Sequence, residues 1–353
     1  MIIGIPKEIK TAEWRVSLTP EAVRQLVGRR HRVLVQKGAG VASGFPDIEY
    51  RRAGAVIVSS FKDVYRQAEL VLKVKEPQPQ EYSCLRPGLN LFTFLHVAAN
   101  RPLLRALLKK KVTAIAYETV ESKNGNLPIL APMSEIAGLL APLIGANYLR
   151  KDMGGKGVLL PSVGVGGAGR VTVIGAGRVG SSAVKIAHGL GALVTVYDVD
   201  VRKLKKCWSL YGERVQILSE ARELPEIIKR TDLLIGAVLI PGQKTPLVVT
   251  RQMVEAMDAG SVVFDVAVDQ GGCIETARPT TLAKPVFERS GVLHYGATNI
   301  PSLVPRSATE ALVSASLPYI IQLADKGFEK AFTEDRGFQK GLCVQRGEKV
   351  FLS

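Results

Sequence analysis

The stretch RVTVIGAGRVGSSAVKIAHGLGALVTVYD, Arg170 to Asp198, decides the fold. Val171–Ile174 reads as a buried strand, Val179–Leu190 as a helix and Leu193–Tyr197 as a second strand that ends at an acid, Asp198. A run of Gly-x-Gly-x-x-Gly alone is an ordinary turn, but here it sits between a strand and a helix, with the acid in place. Each part has a mechanical role: Gly175 permits the tight turn, Gly177 lets backbone approach a pyrophosphate, and Gly180 lets helix and strand pack closely. Exposed N–H groups and the helix dipole then favour phosphate.

The segment is therefore predicted to be the start of a Rossmann domain, with Gly175, Gly177, Arg178, Val179 and Gly180 cradling the dinucleotide. Asp198 is placed to accept from the adenine ribose hydroxyls and to repel a 2′-phosphate, which favours NAD. Arg202 and Lys203 stand just beyond, where they would soften that preference, and Lys203 joins the candidate cofactor contacts. Working outward, a helix at Arg202–Tyr211 and strands at Val215–Leu218, Leu233–Val238 and Val262–Val266 continue the series. Upstream, strands are predicted at Ile2–Ile5, Arg32–Gln36, Ala55–Val58, Leu70–Val74, Leu89–Phe94 and Val112–Ala116, alternating with helical patterns. Gly38-Ala39-Gly40 lacks a following helix pattern and reads as a loop. Ser134–Leu149 reads as a crossing helix and Gly154–Gly169 as a linker; Ser307–Leu323 reads as a helix returning to the first domain, and the polar tail from Asp325 has no clear pattern. The expected architecture is a two-domain α/β protein. A Rossmann dinucleotide-binding domain (residues 131–301) is inserted into a second, flavodoxin-like or Rossmann-like α/β substrate domain (1–130 and 302–353).

Composition narrows the class. The 353 residues hold 46% hydrophobic residues, which suits globular cores, and no apolar run reaches the length of a membrane span. The N-terminus lacks a secretion signal, and Cys84, Cys207, Cys273 and Cys343 are scattered without zinc spacing. The expectation is a cytoplasmic protein with no metal and no membrane partner. The net charge of +15 is spread in short basic pieces without aromatic interleaving, so it reads as a solvated surface and nucleic acid is not expected as a partner.

Ligands in parallel sheets bind beyond the carboxyl ends of strands. Four polar residues fall there: Arg15 in KTAEWRVSLTP, Lys75 in ELVLKVKEP, His96 in LNLFTFLH and Asp269 in SVVFDVAVDQGG. Each has a plain alternative. Arg15 reads equally as a surface residue, Lys75 as a solvated strand end, His96 as a core histidine and Asp269 as a turn cap before Gly271-Gly272. His294, in VLHYG, is the rival to His96.

These segments, with GIPKEIK, IAYETV, LAPMSEIAG, GAGRVG, IGAVLIPG and the Asn299 segment before Pro301, resemble the L-alanine dehydrogenase family. That family is related to the nucleotide-binding subunit of proton-translocating transhydrogenases. The resemblance implies reversible oxidative deamination of L-alanine: hydride leaves the α-carbon for nicotinamide, and water converts the imine to pyruvate and ammonia. It implies that Arg15 and Lys75 bind the substrate, that His96 is the general acid/base, and that Asp269 orients the attacking water and stabilises cationic intermediates. It also implies cofactor or substrate contacts at Met133, Ser134, Val238, Leu239 and Asn299. Their plain alternatives are core packing for Met133, a helix N-cap for Ser134 and a turn residue for Asn299. A homohexamer is implied as well. The chain departs from the family pattern at Ile300, where methionine is usual, in the linker LPSVGVGGAG and in a shorter tail. Two other readings stay open: the same fold acting on another small 2-oxo acid such as glyoxylate or on another amino acid, and a non-catalytic, transhydrogenase-like dinucleotide-binding module. The arginine-glutamine-aspartate loop expected of the latter is absent from the sequence.

Overall fold

The computed structural model describes residues 1–98, 100–238 and 245–350, with Gln270 described in its backbone alone. The chain divides into two compact units, Met1–Met133 with Pro301–Ser353, and Ser134–Ile300. In chain order the first segment runs β1 (Ile2–Ile5), α1 (Pro20–Gly28), β2 (Arg32–Gln36), α2 (Asp47–Arg52), β3 (Val56–Val58), α3 (Phe61–Gln67), β4 (Leu70–Leu72), β5 (Asn90–Thr93), α4 (Arg101–Lys109) and β6 (Thr113–Ala116). Helix α5 (Leu130–Tyr148) follows. Next come β7 (Arg170–Ile174), α6 (Arg178–Gly189), β8 (Leu193–Tyr197), α7 (Val201–Tyr211), β9 (Val215–Leu218), α8 (Leu224–Lys229), β10 (Leu233–Gly236), α9 (Arg251–Glu255), β11 (Val262–Asp265), β12 (Val286–Arg289) and β13 (Val292–Tyr295). The last segment holds α10 (Pro305–Lys326), α11 (Phe328–Glu334), α12 (Arg336–Gln339), β14 (Leu342–Gln345) and β15 (Glu348–Lys349).

The first unit carries an eight-stranded sheet whose parallel part runs β3-β2-β1-β4-β5-β6. That is the Rossmann order rather than the flavodoxin order, so of the two expected variants the structure has the former. Its inner strands are apolar on both faces, as helices on both sides of a parallel sheet require: β4 and β6 are buried at every position. Helix α1 starts where Thr19 accepts from the Ala22 N–H and Pro20 presets the first turn, and it buries Ala22, Val23 and Leu26.

The second unit repeats the order, β9-β8-β7-β10-β11-β13, with β12 antiparallel at the edge. Gly180 shows why sequence and packing agree there. A Cβ added to it would lie 1.7 Å from the Gly175 carbonyl oxygen, so only glycine lets α6 sit this close to the β7 turn. The Gly154–Gly169 stretch lies inside this unit and not between the two. Among the described residues no helix is long and apolar enough to cross a membrane.

Two elements differ from the sequence reading. The tail, expected to lack pattern, adds α11, α12 and two strands; β14 pairs antiparallel with β6 and buries Leu342, Cys343 and Val344. Strand β12 was likewise not anticipated. Both cases are two-residue hairpins whose turn residues have positive φ, Ser290-Gly291 (53° and 76°) and Arg346-Gly347 (50° and 87°). That is the type I′ geometry matching the strand twist.

Gly180→Ala is expected to destabilise the chain by about 1–3 kcal/mol or more through overpacking. Gly177→Ala, whose Cβ would meet nothing within 4 Å, should leave the melting temperature near wild type. Thermal melts of the two variants check this; equal losses would contradict it.

Candidate active site

In each sheet the chain leaves the central pair of strands in opposite directions, β1 and β4 in the first unit and β7 and β10 in the second. A crevice opens at such a switch point beyond the strands' carboxyl ends. The first unit brings three of the sequence-derived residues to that edge.

Arg15, after β1, is buried at 3% exposure, which removes the surface reading. Its Nε donates to Glu13 Oε1 at 2.7 Å and its Nη2 to Glu13 Oε2 at 2.6 Å, a bidentate pair that fixes the guanidinium plane. Its Nη1 lies 3.0 Å from Met133 Sδ, so Met133 packs on the arginine itself.

Lys75, after β4, is half-buried. Burial lowers its pKa below the usual lysine value, and Arg15 and Lys10 lower it further. Its backbone N–H donates to Glu8 Oε1 at 3.3 Å, and that of Val74 donates to the same oxygen at 2.6 Å. Glu8 is held in turn by Lys73, at 3.0 Å, and Lys73 also pairs with Glu81 at 3.1 Å; all three side chains are buried. Tyr65 donates its hydroxyl to Glu81. Burial pulls Lys73 down, but the two carboxylates outweigh it and its pKa is raised; burial likewise raises Glu8, against the pull of Lys73.

His96, after β5, is 39% exposed at the side chain, so it is not a core histidine. Its backbone stands at φ 47°, a conformation that side chains other than glycine's adopt under constraint. Glu118 supplies that constraint, accepting the N–H groups of Leu95 (3.2 Å) and His96 (2.6 Å). The imidazole stacks against Phe94, centroids 6.1 Å apart and planes 8° apart.

In the second unit Gly175 turns at φ 103°, while the space over Gly177 is open where α6 begins. Arg178 is exposed and Val179 buried at that helix start. Asp198 is 7% exposed; Oδ2 accepts from Ala176 N–H at 2.7 Å and Oδ1 from Asp200 N–H at 2.8 Å. Lys203 reaches Asp198 at 3.4 Å, whereas Arg202 pairs with Asp200 at 3.1 Å. An open glycine turn beside a fixed acid suits a dinucleotide. Asp269 is exposed in the turn Val268–Gln270, and Val238 is half-buried after β10. Leu239 lies outside the described residues.

Ser134 is not a helix N-cap: α5 begins four residues earlier, at Leu130, since Pro132 is tolerated in a first turn. Asn299 has φ 64°, and Ile300 after it is 3% exposed. His294 is excluded as a rival to His96. It is buried, Nδ1 bonds the Val292 carbonyl, Nε2 bonds Thr276, and its ring stacks on Phe287. Burial lowers its pKa, so it is a satisfied core imidazole.

The residues that sequence reasoning missed are the buried carboxylates Glu8, Glu13, Glu81 and Asp265, the half-buried Glu118, and the buried Lys73. Nothing in a sequence separates a buried acid from a solvated one. The one hint is that Glu8, Glu13, Lys73, Glu118 and Asp265 all lie inside segments already singled out.

Two α/β units with Rossmann strand order, one bearing the glycine turn, define the class of protein. The chain belongs to the alanine dehydrogenase/PNT family: the family's N-terminal domain matches residues 4–137 and its C-terminal domain residues 141–351. It is 47% identical to the alanine dehydrogenase of Halomonas elongata, over 99% of this chain and 95% of that one. It is 48% identical to the alanine dehydrogenase of Bacillus subtilis, over 99% and 93%. A solved L-alanine dehydrogenase superposes with a TM-score of 0.96 at 48% identity, covering 99% of this chain and 97% of that one. A transhydrogenase from Sinorhizobium meliloti superposes at 0.86 with 28% identity, over 99% of both.

Lys73→Met leaves Glu8 and Glu81 buried without their cation and is expected to destabilise the chain by about 3–5 kcal/mol. Urea unfolding at pH 7 checks it; a loss under about 1 kcal/mol would mean that the network is not desolvated as its burial indicates.

Proposed function

We propose that the chain is an NAD-dependent L-alanine dehydrogenase, interconverting L-alanine with pyruvate and ammonia. The observation that carries the reading is the gathering of Arg15, Lys75 and His96 at the carboxyl ends of β1, β4 and β5, in a chain 47–48% identical to alanine dehydrogenases over nearly its whole length. The cofactor, when bound, supplies the hydride acceptor or donor. Arg15, pre-oriented by Glu13, binds the substrate carboxylate in the planar geometry a guanidinium suits. Lys75, whose charge is crowded by Arg15 and Lys10, sits against the carbonyl oxygen of pyruvate and stabilises negative charge there. His96 is the general acid/base, exchanging a proton with the reacting oxygen or nitrogen. Asp269 orients the water that hydrolyses the imine.

In the second unit, taken as the dinucleotide-binding domain, Gly175, Gly177, Arg178, Val179 and Gly180 receive the pyrophosphate and Asp198 the adenine ribose, with Lys203 beside it. Asp198 already accepts two backbone N–H groups, and a carboxylate has room for more acceptors. Ser134, Met133, Val238, Leu239 and Asn299 complete the contacts. We assign the first unit to substrate binding, and the chain to a cytoplasmic homohexamer acting on small molecules. Its four cysteines are all free, in keeping with a reducing compartment.

The test is NADH oxidation with pyruvate plus ammonium, set against glyoxylate and larger oxo acids and against NADPH. Pyruvate with NADH should be preferred, and His96→Ala should lower turnover by about 10²–10⁴-fold while melting as wild type does. Activity with glyoxylate alone, or a fully active His96→Ala, would defeat the reading.

A pH dependence follows from Lys75. Its pKa is lowered, so the cation is lost as pH rises through a value below the usual one near 10.5. The KM for pyruvate should therefore climb on the alkaline side before that pH is reached, and Lys75→Arg should move this limb to higher pH. An unmoved limb would show that another group titrates there.

A further inference from the structure

Asp265, the last residue of β11, is 1% exposed and pairs with no lysine or arginine among the described residues. Its oxygens instead take three backbone N–H groups from the two sides of one loop. Oδ1 accepts from Ala267 at 3.0 Å, and Oδ2 accepts from Cys273 at 2.9 Å and Ile274 at 3.1 Å. Between those anchors the chain makes the turn Val268–Gln270, which carries Asp269, and reverses through Gly271 and Gly272 at φ 100° and 65°.

The carboxylate sits in a cradle of backbone with no room to spare. A Cβ on Gly272 would lie 2.5 Å from Asp265 Oδ2, and one on Gly236 of β10 would lie 3.1 Å from its carboxyl carbon. The residues donating to it are themselves buried, Ala267 at 7%, Cys273 at 0% and Ile274 at 1%, so no water replaces the carboxylate if it is lost.

We infer that Asp265 is the positioning residue of the candidate site: it pins both feet of the 266–274 loop and so fixes where Asp269 stands. The inference rests on the role proposed for Asp269, and it explains why the segment DVAVDQGG needs two acids. The exposed one meets the chemistry and the buried one holds the loop. Burial, helped by Asp269 and opposed by the three backbone N–H donors, raises the Asp265 pKa to about 6; the titratable groups facing it are Asp269 and the Cys273 thiol. Because burial raises this pKa above the free value, protonation favours the closed loop, and the cost of keeping the carboxylate buried grows as pH rises past that free value; the three N–H donors offset part of that cost.

The test is a double-mutant cycle on the full-length enzyme, with NADH, pyruvate and ammonium as the assay. Asp265→Asn keeps the shape but turns one acceptor into a donor, and should lower kcat by about 10- to 100-fold. In an Asp269→Asn background the same change should alter kcat by less than about threefold, while the fall in melting temperature is the same in both backgrounds. A purely structural role would give kcat penalties that multiply, and that outcome overturns the inference, as does an unchanged kcat in Asp265→Asn. An Asp269→Asn enzyme of wild-type turnover overturns the proposed role of Asp269 instead. Should Asp265→Asn fail to fold, hydrogen exchange of the wild-type peptide spanning residues 266–274, corrected for intrinsic rates, decides. Amides of Ala267, Cys273 and Ile274 that exchange as slowly as the β11 core support the pin, and exchange at the rate of an exposed loop overturns it.

Discussion

A parallel sheet in the order 3-2-1-4-5-6 forces its chain to depart from the central pair of strands in opposite directions, and the candidate site residues lie at the gap this leaves. Loops cannot close over both strand ends at once, so the carboxyl edge stays open. Both units obey the rule, and in each the candidate residues follow the strands at or next to the switch: β1, β4 and β5 in one, β7, β8, β10 and β11 in the other. The first unit presents positive groups and an imidazole. The second presents an open glycine turn and acids.

An open edge carries its own difficulty, because the loops there have few ladder hydrogen bonds to define them. The protein uses buried and half-buried carboxylates to define them instead. Glu8 takes the N–H groups of Val74 and Lys75, Glu118 those of Leu95 and His96, and Asp265 those around Asp269, while Glu13 grips the Arg15 side chain directly. A carboxylate accepts several donors at once and its bonds are charge-assisted, so one side chain fixes two or three backbone groups. The arrangement has a thermodynamic drawback, since burying each charge opposes folding. At Glu8 that is offset by the buried cation Lys73, and at Glu13 by the buried Arg15.

Much of this was legible beforehand. The glycine turn with Asp198, the alternation of strands and helices, and the polar residues after strand ends follow from local chemistry that a sequence displays directly. What stayed hidden was of two kinds. The hairpins Ser290-Gly291 and Arg346-Gly347 carry a turn signal, but it is weaker than Asn-Gly, and β12 is only partly buried, so hydrophobic alternation gave no support. The acids that hold the loops give no local signal at all: Glu118 in IAYETV reads like any solvated glutamate, and its role exists only because folding brings it to the His96 backbone. The N-cap alternative for Ser134 fails separately, because this good cap residue lies inside a helix that tolerates proline in its first turn.

In the proposed reaction hydride passes between the dinucleotide and the α-carbon of an amino acid, with nitrogen incorporated in the same turnover. Turnover of pyruvate, ¹⁵N-ammonium and NADH deuterated at the transferable C4 position, followed by mass spectrometry of the product, tests it most directly. The expected product is alanine carrying one deuterium at Cα and one ¹⁵N. Deuterated lactate without nitrogen, or label recovered only in a second dinucleotide, would contradict it.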